Sequence, residues 1–167
     1  MQVLCTKYDS TSSTQRGPKM FFENMFSLAG VIAMIGWLML LISPLTPIWS
    51  DRIAGVLLPA ILSLGYLLLL IIPASASGGG FGTLAEVIVL FSYEQAALTG
   101  WVHFLAFDLF IGAWVCRIAR SEGINFMLVL PCLPVIFLFG PAGFIAFQAV
   151  RAVRNWSRSE RTSESGH

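Results

Sequence analysis

Charge is what this chain is short of. Of its 167 residues only 10 are Lys or Arg and 9 are Asp or Glu, 11% in all, and two are His. A water-soluble domain carries about a quarter charged residues, so this composition cannot cover a soluble globule. A formal net charge of +1 leaves no basic face for a phosphate backbone, which excludes a nucleic-acid binder. Three cysteines, Cys5, Cys116 and Cys132, are too few and too scattered for a disulfide framework or a zinc site. What fills the chain is apolar: 56% hydrophobic residues and a mean hydropathy of +0.78. A cytosolic enzyme and a disordered chain are excluded on the same grounds, and an integral membrane protein is left.

A membrane helix needs about 20 mostly apolar residues. Four segments qualify. They cover residues 25–42, closed by Ser43-Pro44; 53–73, opened after Ser50-Asp51-Arg52 and ended by Pro73; 93–118; and 125–150. The expected fold is all-α, a polytopic four-helix transmembrane bundle over residues 25–150. A polar tail of residues 1–24 precedes it and a basic, polar tail of residues 151–167 follows. Ser92 with Gln95 has the spacing of a capping box for the third helix, and Thr83 with Glu86 that of another. The run Val87–Phe91 behind the second box is too short to cross, so it is expected as a short interfacial helix between helices 2 and 3. Ahead of it, Ser75-Ala76-Ser77-Gly78-Gly79-Gly80-Phe81-Gly82 reads as a flexible turn without the Lys-Ser/Thr of a phosphate-binding loop. No transporter-type repeat relates the two halves.

Four crossings put both tails on one side. That side then holds seven basic residues (Lys7, Arg16, Lys19, Arg151, Arg154, Arg158, Arg161) against three opposite (Arg52, Arg117, Arg120). Both termini are therefore expected to be cytoplasmic, or stromal in a plastid, with Arg117 and Arg120 as dissenters. The first apolar run is too long for a signal-peptide core, so the helix is expected to be retained. The polar start is short for a plastid transit peptide, which favours a bacterial inner membrane or a mature plastid-envelope form.

Within the spans only His103 and Asp108 are ionisable at depth. A carboxylate there is expensive, by about 2.5–3.5 kcal/mol on insertion scales, and so is neutral, paired or facing a polar cavity. Asp108 is a candidate proton donor or acceptor; the structural alternative is a helix-to-helix hydrogen bond. His103 is either a general base or a histidine bonded to a neighbouring carbonyl. Five residues separate the two, about 7.5 Å and about 140° on a regular helix, so they flank one ligand only if the helix is enclosed or a π-bulge realigns it. A lone intramembrane histidine cannot make a bis-histidine haem site, and no cofactor or metal is expected. Pro131, Pro134 and Pro141 interrupt the fourth helix, and Gly140-Pro141-Ala142-Gly143 is a candidate kink lining a pocket. Trp37, Trp49, Trp101, Trp114 and Trp156 lie mostly near helix ends, as an interfacial belt requires, while Phe104, Phe107, Phe110, Phe137 and Phe139 suit either lipid-facing filler or a long apolar ligand.

The run Gly100-Trp101-Val102-His103-Phe104-Leu105-Ala106-Phe107-Asp108-Leu109-Phe110-Ile111-Gly112 resembles the GW(I/V)H(Y/F)LAFDLFVG signature of the abscisic-acid-deficient, neoxanthin-synthase-like family. Leu130-Pro131-Cys132-Leu133 and Phe139-Gly140-Pro141-Ala142-Gly143 resemble its PCL and FGP(A/V)G motifs. The resemblance implies a small four-helix membrane protein acting on a carotenoid or another isoprenoid lipid. It implies the redox-neutral conversion of an epoxide to a hydroxyl and an allene, which needs one acid and one base. On that reading His103 and Asp108 are catalytic and Glu94 or Arg117 tunes them. Trp101, Phe104, Phe107, Phe110 and Pro141 hold the substrate. The alternatives are a non-catalytic pigment-binding or assembly protein and a small proton-coupled transporter. Partners beyond membrane lipids are a homodimer with a shared pocket or a partner carotenoid enzyme.

Overall fold

Backbone polar groups in hydrocarbon must be satisfied within the chain, so long apolar segments become helix. The computed structural model describes the backbone of residues 3–72 and 78–164, and the side chains of residues 19–72 and 78–156. Every regular element among the described residues is helical. In order they are α1 (Val3–Leu41), α2 (Pro47–Arg52), a π turn (Ile53–Leu57), α3 (Leu58–Ile71), α4 (Leu84–Phe91), α5 (Glu94–Ser121), α6 (Phe126–Val129) and α7 (Cys132–Glu164). Four stretches are long and apolar enough to cross a membrane: Lys19–Leu41, Pro47–Ile71, Glu94–Ser121 and Cys132–Trp156.

Several boundaries differ from the sequence-based expectation. Helix extends into both tails, to Val3 and to Glu164. The second membrane helix opens at Pro47 rather than Ile53, because proline at a first helical position loses no needed donor. Ser50 Oγ there donates to the Met39 carbonyl at 2.8 Å, so Ser50-Asp51-Arg52 is helix. Pro59 lacks the N–H that would bond the Gly55 carbonyl, and the π turn Ile53–Leu57 contains Gly55 and ends two residues before Pro59. Pro73 and Ser75–Ser77 lie outside the described residues.

The capping boxes divide. Thr83 accepts from the Glu86 N–H at 3.3 Å and opens α4 as expected. The Glu86 carboxylate bonds the Gly82 N–H at 3.1 Å, one residue earlier than a reciprocal box requires. The Ser92–Gln95 box does not form: Ser92 Oγ donates to the Val89 carbonyl at 2.6 Å. Gln95 Nε2 reaches across to Leu69 O at 2.9 Å and Ile72 O at 2.7 Å. It thereby satisfies two of the carbonyls that the end of α3 leaves open. At the other end of α5, Gly123 at φ +63° follows the helix. The Ile124 N–H bonds Ala119 O and the Gly123 N–H bonds Arg120 O, a Schellman closure.

Helix α5 is the axis. Its face of Val102, Ala106, Leu109, Gly112, Ala113 and Cys116 is buried. Ala33, Gly36 and Leu40 of α1 meet it, with the Leu40 side chain over Gly112 and Leu109 over Gly36. Small residues bring membrane helices close enough for van der Waals packing to hold them. The π turn presents Gly55 to α5, where an added Cβ would lie 3.3 Å from Ala113 and 2.9 Å from the Arg117 guanidinium.

The fourth stretch doubles back. Phe139 leaves helical geometry at φ −142°, ψ 51°, and a Cβ on Gly143 would overlap the backbone of Ile136. Seven residues along a straight helix would separate those two by about 10.5 Å. The descending arm (132–138) lies against α1, with Leu133, Pro134 and Phe137 beside Met34 and Trp37. The returning arm (140–164) follows α5 in the same direction. Gly140 lies against Asp108, Trp114 packs on Phe144 and Phe147 with centroids 5.6 and 6.1 Å away, and Arg151 Nε bonds Glu122 at 2.9 Å. Arg154 bonds the Glu122 carbonyl at 3.1 Å. Val129, Leu133, Ile136 and Phe147, all buried, belong to the core of this hairpin region.

Two stability predictions follow from these contacts. Gly143→Ala drives a methyl into the opposite arm and lowers stability by about 1–3 kcal/mol. Gly65→Ala, with open space around the site, leaves it unchanged or raises it; thermal unfolding in detergent compares them. Gln95→Ala leaves the α3 carbonyls open and lowers stability by about 1–3 kcal/mol. Ser92→Ala in the same assay changes it by less than about 0.5 kcal/mol.

Candidate functional site

A cavity of about 450 Å³ opens between α3, α4 and α5. Most of its wall is apolar, from Leu69, Phe81, Leu90, Phe91 and Phe104, and four polar side chains join it: Tyr66, Gln95, Thr99 and His103. That combination, an apolar hollow with a few convergent polar groups, is the usual form of a small-molecule site. Gln95 is held by its bonds to α3, and Thr99 Oγ1 donates to the Gln95 carbonyl at 2.7 Å. His103 is placed by rings: Phe107 lies 4.6 Å from it, Tyr66 5.6 Å and Phe104 6.0 Å, centroid to centroid. Gly100 keeps the floor low, since a Cβ there would meet the Phe91 ring at 2.7 Å.

Asp108 is not part of this wall. α5 is regular α-helix throughout its length, and the π turn is in the second membrane helix instead. His103 and Asp108 therefore keep their angular offset, one turned to α3 and the other to the break in α7. They still interact electrostatically. Gly140 is glycine for a steric reason, because an added Cβ would overlap the Asp108 carboxylate. The carboxyl group thus sits beside Gly140, at the start of the returning arm.

The other expected residues disperse. Phe107 and Phe110 line a second hollow between α3 and α5, of about 360 Å³, with Pro59, Ala60 and Ser63. Phe110 also meets Pro141 in a groove between α5 and α7. Trp101 packs on Phe26 at 5.7 Å and shares an α1–α5 groove with Glu94. Glu94 pairs with Lys19 at 3.7 Å, nine residues, or about 13.5 Å, from His103. Arg117 lies 3.8 Å from Asp51, which Arg120 also binds. Neither Glu94 nor Arg117 reaches His103 or Asp108. Each is a member of an ion pair at an end of α5.

Tyr66, Gln95 and Thr99 are the polar wall residues that sequence reasoning missed. A single phenol within the apolar run 53–73 was the available signal for Tyr66. Nothing local marks Gln95, whose spacing points to a cap it does not make. Among the described residues no three His, Cys, Asp or Glu side chains gather as a metal site. Cys116 and Cys132 are buried, free thiols.

No curated protein and no solved structure matches the chain at a significant level. Residues 24–147 match the family described as ABA DEFICIENT 4-like. The match takes in all of α5 with His103 and Asp108, the wall of the cavity and the break at Phe139. This chain is a membrane protein of the ABA DEFICIENT 4-like family.

Proposed function

We propose that the protein is an enzyme converting a carotenoid or related isoprenoid by redox-neutral proton transfer, in the cavity between α3, α4 and α5. The carrying observation is the juxtaposition of the His103 and Tyr66 rings, 5.6 Å apart, in an apolar hollow of about 450 Å³. A cyclic end group of a polyene fits such a hollow. The chain behind it runs along the α3–α5 hollow beside Phe107 and Phe110, which begins where Phe107 stacks on His103.

Epoxide opening to an allene breaks one C–O bond and one C–H bond and forms one new C=C bond, with no change of oxidation state overall. One group gives a proton to the epoxide oxygen while another takes the proton from carbon. Tyr66 is the donor and His103 the base in this arrangement. Return of a proton from imidazolium to phenolate restores both, so no redox cofactor is required. Asp108 stands apart from this pair, and its close neighbour is Gly140 at the hairpin tip.

The experiment is pigment profiling of a xanthophyll-producing host expressing the chain. His103→Ala and Tyr66→Phe each lower product about 10²–10⁴-fold, the usual contribution of one acid or base, while pigment still co-purifies. Asp108→Asn places a carboxamide of the same shape at the tip and lowers product less than about tenfold. An unchanged profile with the wild-type chain in every xanthophyll background, with pigment still bound, would favour the pigment-binding reading and overturn the enzymatic one.

A further inference from the structure

We infer that the chain crosses the bilayer three times and that its fourth apolar stretch is re-entrant, entering and leaving through the basic, cytoplasmic or stromal face. The N-terminus and the mouth of the His103 cavity then belong to the opposite side. This rests on the fold alone and stands whether or not the protein is an enzyme.

Distances along the helices carry the first part. From Asp108 to Glu122 is 14 residues of α5, about 21 Å. From Gly140, against Asp108, to Arg154, against the Glu122 carbonyl, is also 14 residues. The descending segment from Asn125 to Phe139 has the same length. Both arms therefore run between the Glu122 end of α5 and its midpoint, where Gly140, next to the break at Phe139, is buried against Asp108.

A straight crossing fails on the same contacts. It would carry Arg151 to the Glu94 end of α5, yet Arg151 is bound to Glu122.

Charge sets the orientation. With four crossings the ten basic residues divide seven to three, with Arg52, Arg117 and Arg120 opposing the rest. With a re-entrant hairpin they also divide seven to three, but Lys7, Arg16 and Lys19 are then the minority and Arg52, Arg117 and Arg120 join the basic face.

The leaflet of the cavity follows. His103 lies nine residues from Glu94, about 13.5 Å into the membrane from that end. The wall residues Phe81, Phe91 and Gln95 stand at the same end. An apolar molecule reaching His103 therefore comes from the leaflet away from the basic face.

Single-cysteine variants of the full chain test this, with Cys5, Cys116 and Cys132 replaced by Ala and exposed Ser92, Ser121 or Asn155 changed to Cys. A membrane-impermeant maleimide is applied to spheroplasts and to inverted vesicles. Ser92→Cys is expected to react in spheroplasts, and Ser121→Cys and Asn155→Cys only in inverted vesicles. Asn155→Cys reacting together with Ser92→Cys overturns the re-entrant hairpin. Ser121→Cys and Asn155→Cys both reacting in spheroplasts overturns the assigned leaflet. Should the triple replacement not fold, Glu122→Cys with Arg151→Cys in the native background supplies the test. A bifunctional thiol reagent links that pair within one chain if the hairpin is re-entrant and leaves it unlinked if the chain crosses straight.

Discussion

The close approach of helices along α5 is the contact on which the rest of this protein depends. In hydrocarbon there is no water to drive apolar faces together, so association rests on how near two backbones can come. Gly36, Gly55 and Gly112 occupy the places where a methyl would collide with a side chain of the facing helix. The same helix bears His103 on one flank and Asp108 on another, so its packing decides what each can meet. α3 brings Tyr66 and the cavity to His103. The hairpin brings Gly140 to Asp108.

The break at Phe139 and the carboxylate of Asp108 are two halves of one arrangement. A helix end at membrane depth exposes donors that lipid cannot satisfy, and a carboxyl group at the same depth needs a partner or a polar neighbour. Here Gly140, next to the break, lies against the Asp108 carboxyl group, while His103 faces Tyr66 on the other flank of α5. The ionic contacts at the C-terminal end of α5, Asp51 with Arg117 and Arg120 and Glu122 with Arg151, hold the loops in register with these interior contacts.

Much of the candidate site was legible as residues and little of it as geometry. His103 and Asp108 announce themselves because ionisable side chains are rare in apolar runs, and their offset on one helix follows from the α-helical period. Which neighbour each faces does not, because that depends on where α3 and α7 lie. Tyr66 was hidden for that reason. Gln95 was misplaced for another: an amide three residues beyond a serine bonds its own helix start or a foreign helix end equally well, and only the open carbonyls of Leu69 and Ile72 decide between them.

Membrane residence, all-helical structure and the approximate extent of three of the four apolar stretches were determined by composition and run length alone, because hydrocarbon admits no other solution for so much apolar chain. Pro141 and its glycines also marked the place where the fourth stretch must break. The direction in which the chain leaves that break is a tertiary matter. A proline ends a helix without saying whether the next one continues or returns. Here the room above Gly143, the flank of α5 beside Trp114 and the carboxylate of Glu122 turn it back.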